Sequence, residues 1–127
     1  MEQPMEGLRR IGPKNRLAGA PTPGMKREEA IATDGMWAGV VTTEPGMRSG
    51  WHHHGEYETS IYVLTGRLRM EFGPGGARVV EAGPEDFVFV GRGVAHRESN
   101  PSESIGTAIV VRAGTGEAVF NLEGPNQ

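Results

Sequence analysis

The residues of this chain best suited to chemistry are its four histidines, and they fall in two places: His52, His53 and His54 in one run, and His96. Along an extended segment successive side chains point to opposite faces. His52 and His54 then share one face, and His53 takes the other. Two imidazoles a few ångströms apart cannot both be charged comfortably, whereas a divalent metal binds both in their neutral form. The competing reading of the run is a solvated surface patch. A second, distant histidine strengthens the metal reading, because His96 follows the apolar run Phe87–Val90 and sits in Gly91-Arg92-Gly93-Val94-Ala95-His96-Arg97-Glu98-Ser99-Asn100.

The elements that must position these rings are strands. Twenty glycines and nine prolines in 127 residues punctuate the chain at short intervals, which favours short strands and tight turns over long helices. Met36–Thr43 is rich in β-branched and aromatic residues and ends at the turn pair Pro45-Gly46, so it reads as a strand. Residues 48–54 lead into a loop at Gly55-Glu56-Tyr57, and residues 59–64 form the next strand, stopped by Gly66. Residues 67–72 alternate strictly. Leu68, Met70 and Phe72 share one face, and Arg67, Arg69 and Glu71 the other, as in a half-buried strand. Residues 77–81, 94–98 and 106–112 supply further strands. The continuous apolar run Phe87–Val90 reads as a strand covered on both faces.

About eight short strands with no helix of three turns point to a sandwich, jelly roll or small barrel. Residues 1–35 read as an irregular N-terminal arm broken by Pro4, Gly7, Gly12, Pro13, Gly19, Pro21, Pro23 and Gly24. Within it residues 25–31 form either one helical turn or an arm strand. Residues 113–127 read as a partly ordered tail.

Composition removes several function classes. With no cysteine there are no disulfides, no thiolate catalysis and no cysteine-based zinc or iron–sulfur site. Thirteen basic and sixteen acidic residues are spread along the chain for a net charge of −3. No Lys/Arg block exists to serve nucleic acid or an anionic membrane. The first ten residues lack the apolar core of a signal peptide, and no apolar run approaches the ~20 residues that span a bilayer. The expectation is a soluble protein, with the cytoplasm as its default compartment.

The two histidine regions resemble the paired motifs of the cupin superfamily. In the first motif a Gly precedes His-x-His by six positions, followed by an acidic ligand and a closing Gly; here Gly46, His52, His54 and Gly66 occupy those places. In the second, Asp86, Gly93, His96 and Asn100 match, while Glu85 stands where the family has Gly and Gly91 where it has Pro. The resemblance covers about residues 36–112. It implies an all-β double-stranded β-helix, or jelly-roll barrel, and one divalent transition metal (Mn, Fe, Ni, Co or Zn) on His52, His54 and His96. The motif's acidic ligand is ambiguous. Counting from His54 gives Glu58, and counting back from Gly66 gives Thr59. A slip of one residue flips a side chain across the sheet, although a bulge could restore the inward aim of Glu58. Glu58 is expected as metal ligand or, if free of the metal, as general base.

Three histidines, with or without a carboxylate, leave coordination positions open, as catalytic sites do. The resemblance implies a scaffold and a site rather than a reaction. The expectation is a metal-dependent dioxygenase, isomerase or lyase acting on a small oxygen-rich molecule. A non-catalytic ligand-binding module and a metal-free barrel are the alternatives. Arg92 and Arg97, next to His96 in sequence, are candidate clamps for a carboxylate, ahead of Arg67 and Arg69. Trp51, Tyr57 and Tyr62 either pack the barrel mouth or line a pocket, and Asn100 either fixes a turn or orients His96. A homodimer is expected from the resemblance.

Overall fold

The computed structural model describes residues 5–19 and 22–125; Pro4 and Pro21, two breakers of the N-terminal arm, lie outside them. The described residues form eleven strands: β1 (Leu17–Ala18), β2 (Met25–Ala32), β3 (Met36–Thr43), β4 (His52–His53), β5 (Glu58–Thr65), β6 (Leu68–Phe72), β7 (Arg78–Ala82), β8 (Phe87–Val90), β9 (His96–Ser99), β10 (Gly106–Ala113) and β11 (Phe120–Asn121). The helical content is two single turns of 3-10 helix, Pro13–Asn15 and Pro74–Gly76. No helix among the described residues is long and apolar enough to cross a membrane.

All pairings are antiparallel, in two sheets of strand order β1-β2-β3-β10-β5-β8 and β11-β4-β9-β6-β7. Alternation decides what each strand buries. In the larger sheet the inward set is Val41 on β3, Ile61 and Val63 on β5, Val88 and Val90 on β8, and Val110 on β10. The smaller sheet contributes Met70 and Ala82, and Met25 and Met47 complete the buried cluster. The face expected for Leu68, Met70 and Phe72 is the inner one; the register sets Met70 opposite Glu98 and Phe72 opposite His96.

Three local expectations are settled or changed. Of the two readings of residues 25–31, the strand is the one the structure has, and the arm is not irregular there: Met25–Ala32 is an eight-residue strand paired along β3. The C-terminal segment returns to the fold, since Phe120 and Asn121 pair with His53 and His52. Phe87–Val90 is covered on one face only: Val88 and Val90 are buried, but Phe87 and Phe89 are 72 % and 68 % exposed on an edge strand.

The departures from the motif sit where a turn absorbs them. Glu85 has φ 74°, the only left-handed non-glycine among the described residues, a conformation that glycine adopts without its steric penalty. Its side chain is exposed, so nothing packs against it that a substitution would lose. Glu85→Gly is expected to raise stability by about 1 kcal/mol, read as a higher urea midpoint; an unchanged or lower midpoint would show that the turn carries no such strain.

Candidate metal centre

The histidine run is held by pairing on both sides. His52 lies opposite His96 of β9 and opposite Asn121 of β11. Upstream, Ser49 N–H donates to Glu98 O at 2.8 Å, and Glu98 N–H donates to Ser49 Oγ at 3.0 Å. Downstream the run is closed by Gly55. Its φ is 58°, and a Cβ there would stand 2.7 Å from the Phe120 ring, so neither the turn nor the space admits a larger residue.

Alternation then separates the three rings of the run. His53 turns outward, stacked on Phe120 with centroids 4.8 Å apart and accepting from Gly55 N–H at 3.0 Å. His52 and His54 turn inward and meet His96, with centroid separations of 5.0, 4.4 and 5.1 Å. One ring nitrogen from each lies within 4.8 Å of the other two, a grouping that could hold a metal ion. All three residues are buried.

The protonation of these rings follows from their partners. Nδ1 of His52, His54 and His96 faces the carbonyl oxygens of Gly50, Ala118 and Val94, at 3.0, 2.7 and 2.9 Å. A carbonyl only accepts, so each Nδ1 carries the hydrogen and each neutral ring presents an Nε2 lone pair. Burial holds His54 neutral down to about 3 from its ordinary 6.5, helped by the charge of Arg112. Burial also lowers His96, against the opposing pull of Glu98. His52 Nε2 is buried without a hydrogen-bond partner. Three ring-nitrogen donors, one of them without a hydrogen-bond partner, suit a divalent transition ion better than oxygen-seeking Mg or Ca.

Glu58 is not brought to this group. Its side chain is 44 % exposed and its carboxylate lies 3.6 Å from Arg92. The register is the cause: Thr59, opposite Arg112 on β10 and Val90 on β8, takes the inward position, so its neighbour Glu58 turns out. Thr59 is 3 % exposed with an unpartnered hydroxyl. The carboxylate beside the histidines is that of Glu98, with Oε1 3.6 Å from His52 Nε2. The sequence carried a signal for it, because Glu98 stands two residues from His96 and an extended segment puts both on one face.

The expected arginine clamps also face elsewhere. Arg97 forks onto Glu71 with both bonds at 3.1 Å and lies over the Trp51 ring. Arg92 pairs with Glu58 and donates to Glu56 O. Arg67 and Arg69 share Glu81. Tyr62 packs against Phe87, and the Tyr57 hydroxyl donates to Gly116 O. Asn100 fixes a turn through hydrogen bonds to Ser102, Ser104 and Thr43. What does converge on a cavity bordered by His54 and His96 is Thr59, Glu98, Arg27 and Arg112. Arg27 and Arg112 were not singled out by sequence patterning.

Comparison with known proteins bears on fold and family. None of the curated proteins matches this chain. The polyketide cyclase RemF from Streptomyces resistomycificus is 23 % identical with a TM-score of 0.74, over 91 % of this chain and 86 % of that one. KdgF from Halomonas sp. is 18 % identical, TM-score 0.70, over 84 % and 93 %. Oxalate decarboxylase from Bacillus subtilis is 21 % identical, TM-score 0.69, and the alignment covers 80 % of this chain but 28 % of that one. At these identities the likeness establishes the double-stranded β-helix alone. The family description "Cupin domain" matches residues 39–112, the stretch that holds all three inward histidines together with Glu98 and Arg112, and the chain belongs to the cupin family.

Proposed function

We propose that this cupin is a mononuclear metal enzyme, with one divalent transition ion (Mn, Fe, Co, Ni or Zn) on His52, His54 and His96 and a small oxygen-rich organic molecule as substrate. The observation that carries the reading is the set of three buried ring nitrogens within 4.8 Å of one another, each ring oriented by a backbone carbonyl. Such an ion supplies Lewis-acid polarisation of a carbonyl, enol or carboxylate oxygen. The chain's own groups do the rest. The backbone carbonyls keep the rings in the tautomer that donates through Nε2, and burial keeps protons off His54 and His96. Glu98 takes the role that the motif count gives to Glu58. As the carboxylate beside the histidines, it either completes the ligand set or moves a proton at the substrate. Convergent polar groups at the cavity favour chemistry over passive binding. RemF is a polyketide cyclase, and the Bacillus subtilis oxalate decarboxylase has Mn(II) centres, which supports an enzymatic, metal-dependent reading.

Metal-loaded protein should turn over a member of a panel of small enols, keto acids and hydroxy acids, followed by absorbance and an oxygen electrode. Glu98→Gln is expected to lower kcat by ~10²–10⁴-fold. Consumption of dioxygen makes the reaction a dioxygenation, and its absence makes it an isomerisation or lysis. Tight binding with no turnover would instead identify a ligand-binding module. The bare Phe87 and Phe89 face supports a homodimer, which sedimentation tests; a monomer at micromolar concentration would contradict it.

A further inference from the structure

Arg112 is a buried cation without a partner anion. It is 8 % exposed and borders the same cavity as His54 and His96. Its Nε has no hydrogen-bond partner. Glu98, the largest source of negative field at Arg112, directs its carboxylate to His52, and no described carboxylate lies within ion-pair distance of the Arg112 guanidinium.

The guanidinium is nonetheless held in place. It lies over the indole of Trp37, 4.8 Å from the ring centroid, and Trp37 is its direct cross-strand partner on β3. Trp37 Nε1–H donates to Glu29 Oε1 at 2.9 Å. The indole lies across Gly39, where a Cβ would stand 2.6 Å from Cη2. Gly39, Trp37 and Glu29 thus form a platform that aims one arginine.

Keeping a guanidinium buried and unpaired is costly. Burial pushes the Arg112 pKa down against the opposing charge of Glu98, and the charge of Arg27, which borders the same cavity, lowers it further. Arginine still keeps its proton in proteins. Arg112 therefore places an unpaired positive charge at this cavity, beside the neutral rings of His54 and His96. A planar guanidinium fork whose Nε–H is unused matches the two oxygens of a carboxylate.

We propose that the ligand of this cavity is a small organic carboxylate, its carboxylate group bound by Arg112 on the Trp37 platform and its remaining oxygen functions turned to the histidine cluster. This deepens the reading of that cluster as the reactive centre and rests on it for the second half only. Arg112 is here a binding residue that sets the charge class of the substrate.

The test is calorimetry with acetate, pyruvate and malonate, and with methyl pyruvate as the uncharged analogue of pyruvate. Each is titrated into wild type, Arg112→Met, Arg112→Lys and His96→Ala, with and without Mn²⁺. In wild type at least one carboxylate binds below ~10 mM, and pyruvate binds at least about tenfold tighter than its ester. Arg112→Met loses that preference, and its urea midpoint rises because an unpaired buried charge has gone. Arg112→Lys keeps a charge without the fork and retains only part of the preference.

His96→Ala separates the two proposals. If the acid-over-ester preference survives there while metal binding is lost, the clamp stands independently of the metal. If wild type binds metal but shows no preference, the clamp is wrong and the metal centre stands. An absence of binding by all three acids, or a preference that persists in Arg112→Met, overturns the inference.

Discussion

Lowering the pH from 6.5 towards 3 should remove up to about 5 kcal/mol of stability from the metal-free protein through His54 alone. The ring is held neutral down to about 3 by burial and by the charge of Arg112, against an ordinary value of 6.5. Above pH 6.5 folded and unfolded chains are both neutral at this position, and its contribution is complete. Below 6.5 the unfolded chain takes up a proton that the folded chain refuses. Stability then falls by ~1.4 kcal/mol per pH unit until the native ring protonates as well. His96, also lowered by burial, adds in the same direction. Glu71 and Glu81 are held below their ordinary 4.5 by hydrogen bonds from Arg97 and from Arg69 with Arg67. Their contributions are present above 4.5 and are lost at lower pH.

The interval from pH 6.5 to 5 therefore isolates the histidines. Urea titrations across it should show wild type losing ~2 kcal/mol or more, with a shallower slope in His54→Gln. A flat wild-type profile would mean that the ring is not shielded as its burial requires.

Asn100→Ala is expected to cost about 3 kcal/mol while leaving the metal stoichiometry unchanged. Asn100 is 1 % exposed. Its Nδ2 donates to Ser104 O at 2.8 Å and to Thr43 O and Oγ1 at 3.4 Å, and its Oδ1 accepts from Ser102 N–H at 3.0 Å and Ser102 Oγ–H at 2.7 Å. Its backbone N–H also donates to Met47 O, and its carbonyl accepts from Gly46 N–H. One side chain thus ties the end of β3 to the turn between β9 and β10. Truncation leaves several of these groups in the interior without partners, which is the expensive way to lose a hydrogen bond. Chemical unfolding and metal analysis on the same variant separate the two roles open to this residue. A loss of metal with stability intact would mean that Asn100 acts on His96 rather than on the turn.

The parts of this molecule legible in its sequence are those governed by alternation within one strand. Met36–Thr43 and Phe87–Val90 carry their β-branched and apolar signals locally, and both are strands over those residues. The pairing of His52 with His54 on one face needs only the two-residue period. What a single segment cannot report is register. Whether Glu58 or Thr59 faces inward is set by the alignment of β5 against β10 and β8, and that information lies on other strands. Met25–Ala32 reads ambiguously because its sequence, MKREEAIA, has the charge of a solvated segment. It becomes a strand through its pairing with β3, and a bulge between Glu29 and Ile31 absorbs the misfit.

Arg112 shows the same limit from another side. A charge at the end of the run GTAIVVRA looks like a solvated strand terminus. It is buried because the residue opposite is Trp37 and the residue behind Trp37 has no side chain. Glu98 was within reach of the two-residue rule applied from His96. Counting from the first motif alone leads to Glu58, whose side chain lies by Arg92.

The most direct measurement is elemental analysis of protein purified without a histidine tag, beside His52→Ala and His96→Ala prepared in the same way. One equivalent of a single transition metal per chain in wild type, falling to background in both variants, is the expected result. Metal retained at the wild-type level in both variants would contradict a centre built from these imidazoles.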